Sequence, residues 1–191
     1  MATVYSKDIK TLIEDIEVPD SEYERAVNRY NSIADYISNS EVSVYEPEIY
    51  LQGSFKLGTA IKPLTEDGSY DIDLVCNVSR LSKQNISQSE LKKKIGAVIT
   101  NYASSNNIKS NPENGKRCWT LNYVDNHNFH LDVLPSVPNG YGTVIAITDK
   151  RNENYEILSD GWEVSDPKGY FEWFNKCSKY DEFKKRYILN E

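Results

Sequence analysis

Apolar residues recur at three- and four-residue steps in PDSEYERAVNRYNSIADYISNS, where Tyr23, Ala26, Val27, Tyr30, Ile33, Ala34 and Ile37 share one face. The spacing predicts an amphipathic helix capped by Asp20 or Ser21. The same period returns in SELKKKIGAVITNYASSN through Leu91, Ile95, Val98, Ile99 and Tyr102. A shorter helix is predicted over about residues 6 to 16. A last one is predicted in DPKGYFEWFNKCSKYDEFKKRY, which opens on a cap-and-proline start and is expected to bury Tyr170, Phe171, Trp173 and Phe174.

Between the helices the pattern changes to short runs of β-branched and aromatic residues. VSVYEPEIYLQGSF reads as a β-rich segment ending at a Gly-Ser turn. A loop with Gly58, Pro63 and the DGS turn Asp67 to Ser69 leads to YDIDLVCNV, a strand. RCWTLNYV and NFHLDVLPSV, separated by DNHN, read as an antiparallel pair, and GTVIAITD as one more strand. Runs of strands flanked by separate helices place the chain in the α+β class, with a mixed or antiparallel sheet.

A chain of 191 residues with 39% hydrophobic content buries one core, or one core with a helical annex. The formal net charge of −7 lies in residues 1–50, which hold eleven acids and four bases. No dense basic run is present, so stable binding of a nucleic-acid duplex is not expected. Cys76, Cys118 and Cys177 are odd in number and widely spaced, which supports neither a disulfide framework nor a zinc site. The first residues lack an apolar signal-peptide core, and eighteen apolar residues never run together, so a cytoplasmic chain without a membrane span is expected.

Charge changes the picture most in YDIDLVCNV. Side chains alternate faces along a strand, so Asp71 and Asp73 project to the same side. Two carboxylates held together repel unless a cation lies between them, and hard oxygen ligands suit Mg²⁺ or Mn²⁺. Asp132 is a third strand aspartate, set among apolar neighbours where a half-buried strand would carry Val or Ile. Three carboxylates from neighbouring strands are what a pair of divalent ions needs in order to activate a hydroxyl and hold a leaving phosphate. In QGSF, Gly53 lets the backbone approach a ligand and Ser54 adds a hydroxyl suited to phosphate oxygens. Each motif alone has an ordinary reading, a solvated strand face for DxD and a plain turn for Gly-Ser. His130 shares the face of Asp132 and reads as a structural histidine. Lys92 to Lys94, with Lys116 and Arg117, read as solvated charge or as phosphate contacts.

The order QGSFKLGTAIKP, YDIDLVCNV, FHLDVLPSVP resembles the nucleotidyltransferase superfamily of DNA polymerase β and poly(A) polymerases. It is most similar to the cGAS/DncV-like nucleotidyltransferases, or CD-NTases, of bacterial antiphage defence. The resemblance runs from about Leu51 to Pro138, with SDPKGYFEWF similar to the segment that follows the catalytic sheet. It implies a polymerase β-like catalytic lobe spanning residues 1–191: N-terminal helices over 1–40, the catalytic sheet over 45–150 and a C-terminal helix over 165–187. Asp71, Asp73 and Asp132 would hold two Mg²⁺ or Mn²⁺ ions, and Gly53 and Ser54 the donor triphosphate, with Gln52 and Thr59 as weaker assignments.

The activity so implied joins NTPs into a cyclic di- or trinucleotide that acts on a downstream effector, with room for a regulatory protein partner. Family members carry a helical lobe after the sheet, and this chain ends at Glu191, where that lobe would begin. The expectation is therefore a lobe that binds metal and nucleotide and synthesises poorly by itself. Two other readings stand beside this one: a minimal nucleotidyltransferase that modifies a protein or a tRNA end, and a non-catalytic nucleotide- or partner-binding module.

Overall fold

The computed structural model describes residues 10–65, 68–123 and 129–178. Helix α1 covers residues 10–16 and α2 covers Asp20–Ser38. A 3-10 helix, Glu41–Tyr45, leads to strand β1, Pro47–Gln52, and to the short helix α3, Gly53–Leu57. Strand β2, Tyr70–Val78, precedes the long helix α4, Gln88–Ser105. Then come β3, Glu113–Asn114, β4, Trp119–Tyr123, and β5, Phe129–Pro138. The chain continues through β6, Ile145–Ile147, and β7, Glu163–Ser165, to helix α5, Pro167–Cys177.

One mixed sheet runs in the order β1-β2-β5-β4-β3, with β6 paired to β5 and β7 to β6. The β2–β5 pair is parallel and its neighbours are antiparallel. The parallel pair requires a crossover, which α4 supplies by packing across the sheet. Its capping box, Ser87 Oγ accepting from Glu90 N while Ser87 N donates to the Glu90 carboxylate, fixes where that crossover begins.

Helices α2 and α4 cover one face of the sheet. Ile33 and Ile37 of α2 and Leu91, Ile95 and Ile99 of α4 are buried in one cluster with Ile72, Leu74, Leu121, Leu131 and Val133. Each such side chain, withdrawn from water, contributes about 1.5–3 kcal/mol. The odd-numbered residues of β2 face the other way, where Val75 joins Leu134, Ile145, Ile147, Tyr50 and Cys118 in a smaller apolar cluster. Asp71, Asp73 and Asp132 lie on this second face, toward the starts of β2 and β5.

Several local expectations are corrected. Pro19 takes the cap position of α2 with no side-chain cap bond, and Asp20 begins the helix. Val42–Tyr45, expected to open the β-rich segment, belongs to the 3-10 turn Glu41–Tyr45, because Ser40 Oγ accepts from Val42 N and Glu46, at φ 51°, ends it just before Pro47. The Gly-Ser pair opens α3 instead of forming an isolated turn, since Phe55 anchors that segment against Tyr23 and Tyr70. Of the aromatics of α5 expected to be buried, Tyr170 and Trp173 are 52% and 56% exposed, while Phe171 and Phe174 are half-buried. Lys92, expected in solvent, is fully buried and donates to the carbonyls of Gly115 and Lys116 at 2.7 and 2.9 Å. The DNHN turn, Asp67, the start of the first helix and residues 179–187 of the expected last helix lie outside the described residues, while α5 itself ends at Cys177.

Candidate active site

The parallel register of β2 and β5 sets Asp73 directly opposite Asp132, and Asp71 opposite His130. On the outer sides the same rung continues to Gln52 of β1 and to Thr120 of β4. Opposed positions in a sheet share a face and lie about 5 Å apart between neighbouring strands. Gln52, Asp73, Asp132 and Thr120 therefore form one polar row across four strands.

Three negative groups meet at this row. Burial, then Asp132, then Asp71, pushes the Asp73 carboxyl up to about 6. After burial, the carboxylates of Asp132 and Asp73 lift the Cys118 thiol to about 12. Asp71 lies two residues earlier on β2, on the same face and beside His130, its side chain 72% exposed, with Oδ1 at 3.6 Å from His130 Nδ1. Asp132 Oδ1 accepts a 2.5 Å hydrogen bond from Thr120 Oγ1.

The start of α3 closes against this cluster. Gly53 sits at φ +68°, and a Cβ placed on it would lie 2.2 Å from Asp73 Oδ2. Only glycine combines that left-handed backbone with so close an approach. Phe55, buried in the core, and Thr59 N, which donates to Ser54 O at 2.9 Å, hold the short helix at its two ends. The structure thus brings Gln52 and Gly53 beside Asp73, with Ser54 the next residue of α3, while Thr59 is exposed at the exit of that helix.

The donor set suits a hard divalent cation. Its ligands would be carboxylate oxygens, and a cation would offset both the burial and the repulsion from Asp132 and Asp71 that raise the Asp73 carboxyl. Among the described residues, no three Asp, Glu, His or Cys side chains already converge as a finished coordination shell. A bound ion would have to draw the exposed Asp71 carboxylate inward.

Two features of the site escaped the sequence reading. Thr120 sits in an unremarkable β run, and only the β4–β5 register places its hydroxyl on a carboxylate. Arg117, weighed as a phosphate contact, is committed to Asp149, at 2.8 Å, and to Glu163.

A family model described as "Second Messenger Oligonucleotide or Dinucleotide Synthetase domain" matches residues 3–178. A c-di-GMP synthase from Roseivirga ehrenbergii is 31% identical over 167 residues, covering 85% of this chain and 41% of the relative. A cyclic GMP-AMP synthase from Escherichia albertii is 25% identical over 161 residues, covering 81% of this chain and 33% of the relative. Among solved structures, the Bradyrhizobium diazoefficiens CD-NTase CdnG in complex with GTP aligns with a TM-score of 0.65 at 20% identity, covering 83% of this chain and 43% of that one. The 3′-deoxy ATP bound form of Vibrio cholerae DncV aligns with a TM-score of 0.66 at 16% identity, covering 86% and 57%. At these identities the structural likeness establishes a shared fold. The chain spans less than half the length of the two relatives matched by sequence.

Proposed function

Because this chain belongs to the Second Messenger Oligonucleotide or Dinucleotide Synthetase domain family, we propose that it is the catalytic lobe of a metal-dependent nucleotidyltransferase that builds a cyclic di- or trinucleotide from NTPs. The carrying observation is the opposition of Asp73 and Asp132 on parallel strands, with Asp71 on the same face and Gly53 packed on Asp73. A row of like charges without a counter-ion is costly to fold, which favours a site selected for chemistry over a scaffold.

In this reading Asp71, Asp73 and Asp132 hold divalent cations. When bound, these ions supply charge neutralisation at the triphosphate and lower the pKa of the attacking hydroxyl. Ser54 and the backbone amides around it orient the donor triphosphate. The 2′ or 3′ hydroxyl oxygen of a second nucleotide forms a bond to the α-phosphorus as the bond to the β-phosphate oxygen breaks, and pyrophosphate leaves. In this reading the Asp132 carboxylate, beside the cation it helps to hold, takes up the hydroxyl proton. A second transfer within the bound product closes the ring. By the same reading the product acts in the bacterial cytoplasm on an antiphage effector, and a regulatory protein partner governs the synthase.

Incubation with radiolabelled ATP, GTP, CTP and UTP plus Mg²⁺ or Mn²⁺ tests this, run beside calorimetric binding of non-hydrolysable NTPs. Metal-dependent NTP binding and phosphatase-resistant label, both lost in Asp71→Asn/Asp73→Asn, are expected, with slow turnover by this lobe alone. Label transferred to protein or RNA, or neither binding nor product, would sink the proposal.

A further inference from the structure

We propose that Thr120 is a positioning residue that fixes the metal-facing oxygen of Asp132; the inference rests on the reading of Asp71, Asp73 and Asp132 as a cation site. Asp132 stands between two unlike neighbours on its rung, the Asp73 carboxylate on β2 and the Thr120 hydroxyl on β4. Repulsion from Asp73 alone would turn the Asp132 carboxylate about its χ angles. The hydrogen bond from Thr120 Oγ1 to Asp132 Oδ1, at 2.5 Å, opposes that rotation and leaves Oδ2 available to a cation.

Threonine suits this task because two heavy atoms on Cβ restrict χ1, so its hydroxyl is delivered from a stiff side chain. Strand β4 is itself held firmly at its start. Trp119 Nε1 donates to Lys92 O at 2.8 Å, and its ring lies so close to Gly96 that a Cβ there would fall 2.2 Å from it. The buried Lys92 ammonium grips the carbonyls just ahead of the strand, at Gly115 and Lys116. The sheet does not need a hydroxyl at position 120, since valine has the same shape and a comparable β propensity. What the oxygen adds is a donor to a carboxylate of the cluster. Partners that orient metal ligands in this way are typically worth about 10- to 100-fold in metal affinity.

The test compares Mn²⁺ binding, read by electron paramagnetic resonance, for the wild-type chain and Thr120→Val, Thr120→Ser and Asp132→Ala, with thermal unfolding in EDTA for each. Thr120→Val is expected to weaken Mn²⁺ binding about tenfold while the metal-free chain still folds and unfolds cooperatively in EDTA, and Thr120→Ser to restore affinity. Thr120→Ala replaces the valine variant if valine perturbs folding. Wild-type affinity in the hydroxyl-free variant overturns the inference alone. Wild-type Mn²⁺ binding no tighter than that of Asp132→Ala overturns the inference together with the metal-site reading beneath it.

Discussion

Asp73 of β2 and Asp132 of β5 occupy directly opposed positions on adjacent parallel strands, with Gln52 and Thr120 flanking them on the outer strands. That pairing sets the proposed cation binding against the stability of the metal-free chain. The Asp73 carboxyl is pushed up to about 6 from the ordinary 3.8, by burial first and then by Asp132 and Asp71. The folded chain therefore holds this proton more tightly than the unfolded chain does. The stability linked to it is fully present below about 3.8 and is lost as pH rises through about 6.

Asp73→Asn is accordingly expected to stabilise the metal-free chain at pH 7.5 by on the order of 1–3 kcal/mol. The gain should shrink at pH 4, and Mg²⁺ should raise the wild type alone. On the proposed reading of Asp73 as a metal ligand, nucleotidyl transfer should fall by about a hundredfold or more. Thermal denaturation at both pH values, with EDTA or Mg²⁺, checks the claim. An asparagine variant less stable than wild type at pH 7.5 would contradict it.

Gly53→Ala combines two penalties that a control can separate. The left-handed backbone costs about 1–2 kcal/mol for any side chain, and the new methyl would press on Asp73 Oδ2, 2.2 Å away. Gly140 also has a positive φ, +83°, but nothing lies within 4 Å of its would-be Cβ. Gly140→Ala should lose comparable stability and keep Mn²⁺ affinity, whereas Gly53→Ala should lose both. Equal Mn²⁺ affinity in the two variants would remove the argument that α3 buttresses Asp73.

The two long helices were legible in the sequence because a single strong period governs them; Ile33, Ile37, Leu91, Ile95 and Ile99 all reach the core. The DxD strand and the strand of Asp132 were equally plain, since alternation with charge on one face is hard to read otherwise. What one sequence does not encode locally is which strand lies beside which. The parallel β2–β5 register, and with it the Asp73–Asp132 opposition and the Thr120 hydrogen bond, depends on packing contacts far apart in the chain. Lys92 and Trp173 failed for a related reason. Residue type predicted a solvated lysine and a buried tryptophan. The carbonyls of Gly115 and Lys116 reversed the first, and in the second case the outer face of α5 is left without a covering element among the described residues.

The three consecutive lysines offer a direct test of that reversal. Lys93 reaches Glu156 at 3.8 Å through exposed side chains, and Lys94 lies 5.7 Å from the centre of the Tyr45 ring, while Lys92 is buried on two carbonyls. Lys92→Met should cost about 2–4 kcal/mol, because two carbonyls lose charged donors in a water-poor site. Lys93→Met and Lys94→Met should stay within about 0.5 kcal/mol. Urea denaturation of the three variants decides it, and equal costs would restore the picture of a uniformly solvated charge run.

Asp149 supplies the acid-side counterpart to Asp73. It is buried, its carboxylate accepts from Arg151 Nε and Arg117 Nε at 2.9 and 2.8 Å, and its backbone N donates to Gln88 Oε1 at 2.8 Å. The Arg151 side chain, against a smaller opposing effect of burial and with help from the Arg151 backbone and Arg117, holds this carboxyl well below the usual range. A depressed folded value means the stabilisation is present above about 3.8 and is lost as pH falls through the folded value. Both arginines keep an exposed side, so solvent screening limits the expected cost of Asp149→Asn at pH 7 to about 1–2 kcal/mol. The difference from wild type should narrow steadily below pH 4, where the unfolded wild-type chain takes up a proton that the folded chain still resists. Denaturant midpoints followed from pH 7 to pH 3 test this. A constant gap across that range would mean that the shape of the side chain, and not its charge, joins the end of β6 to the approach of β4.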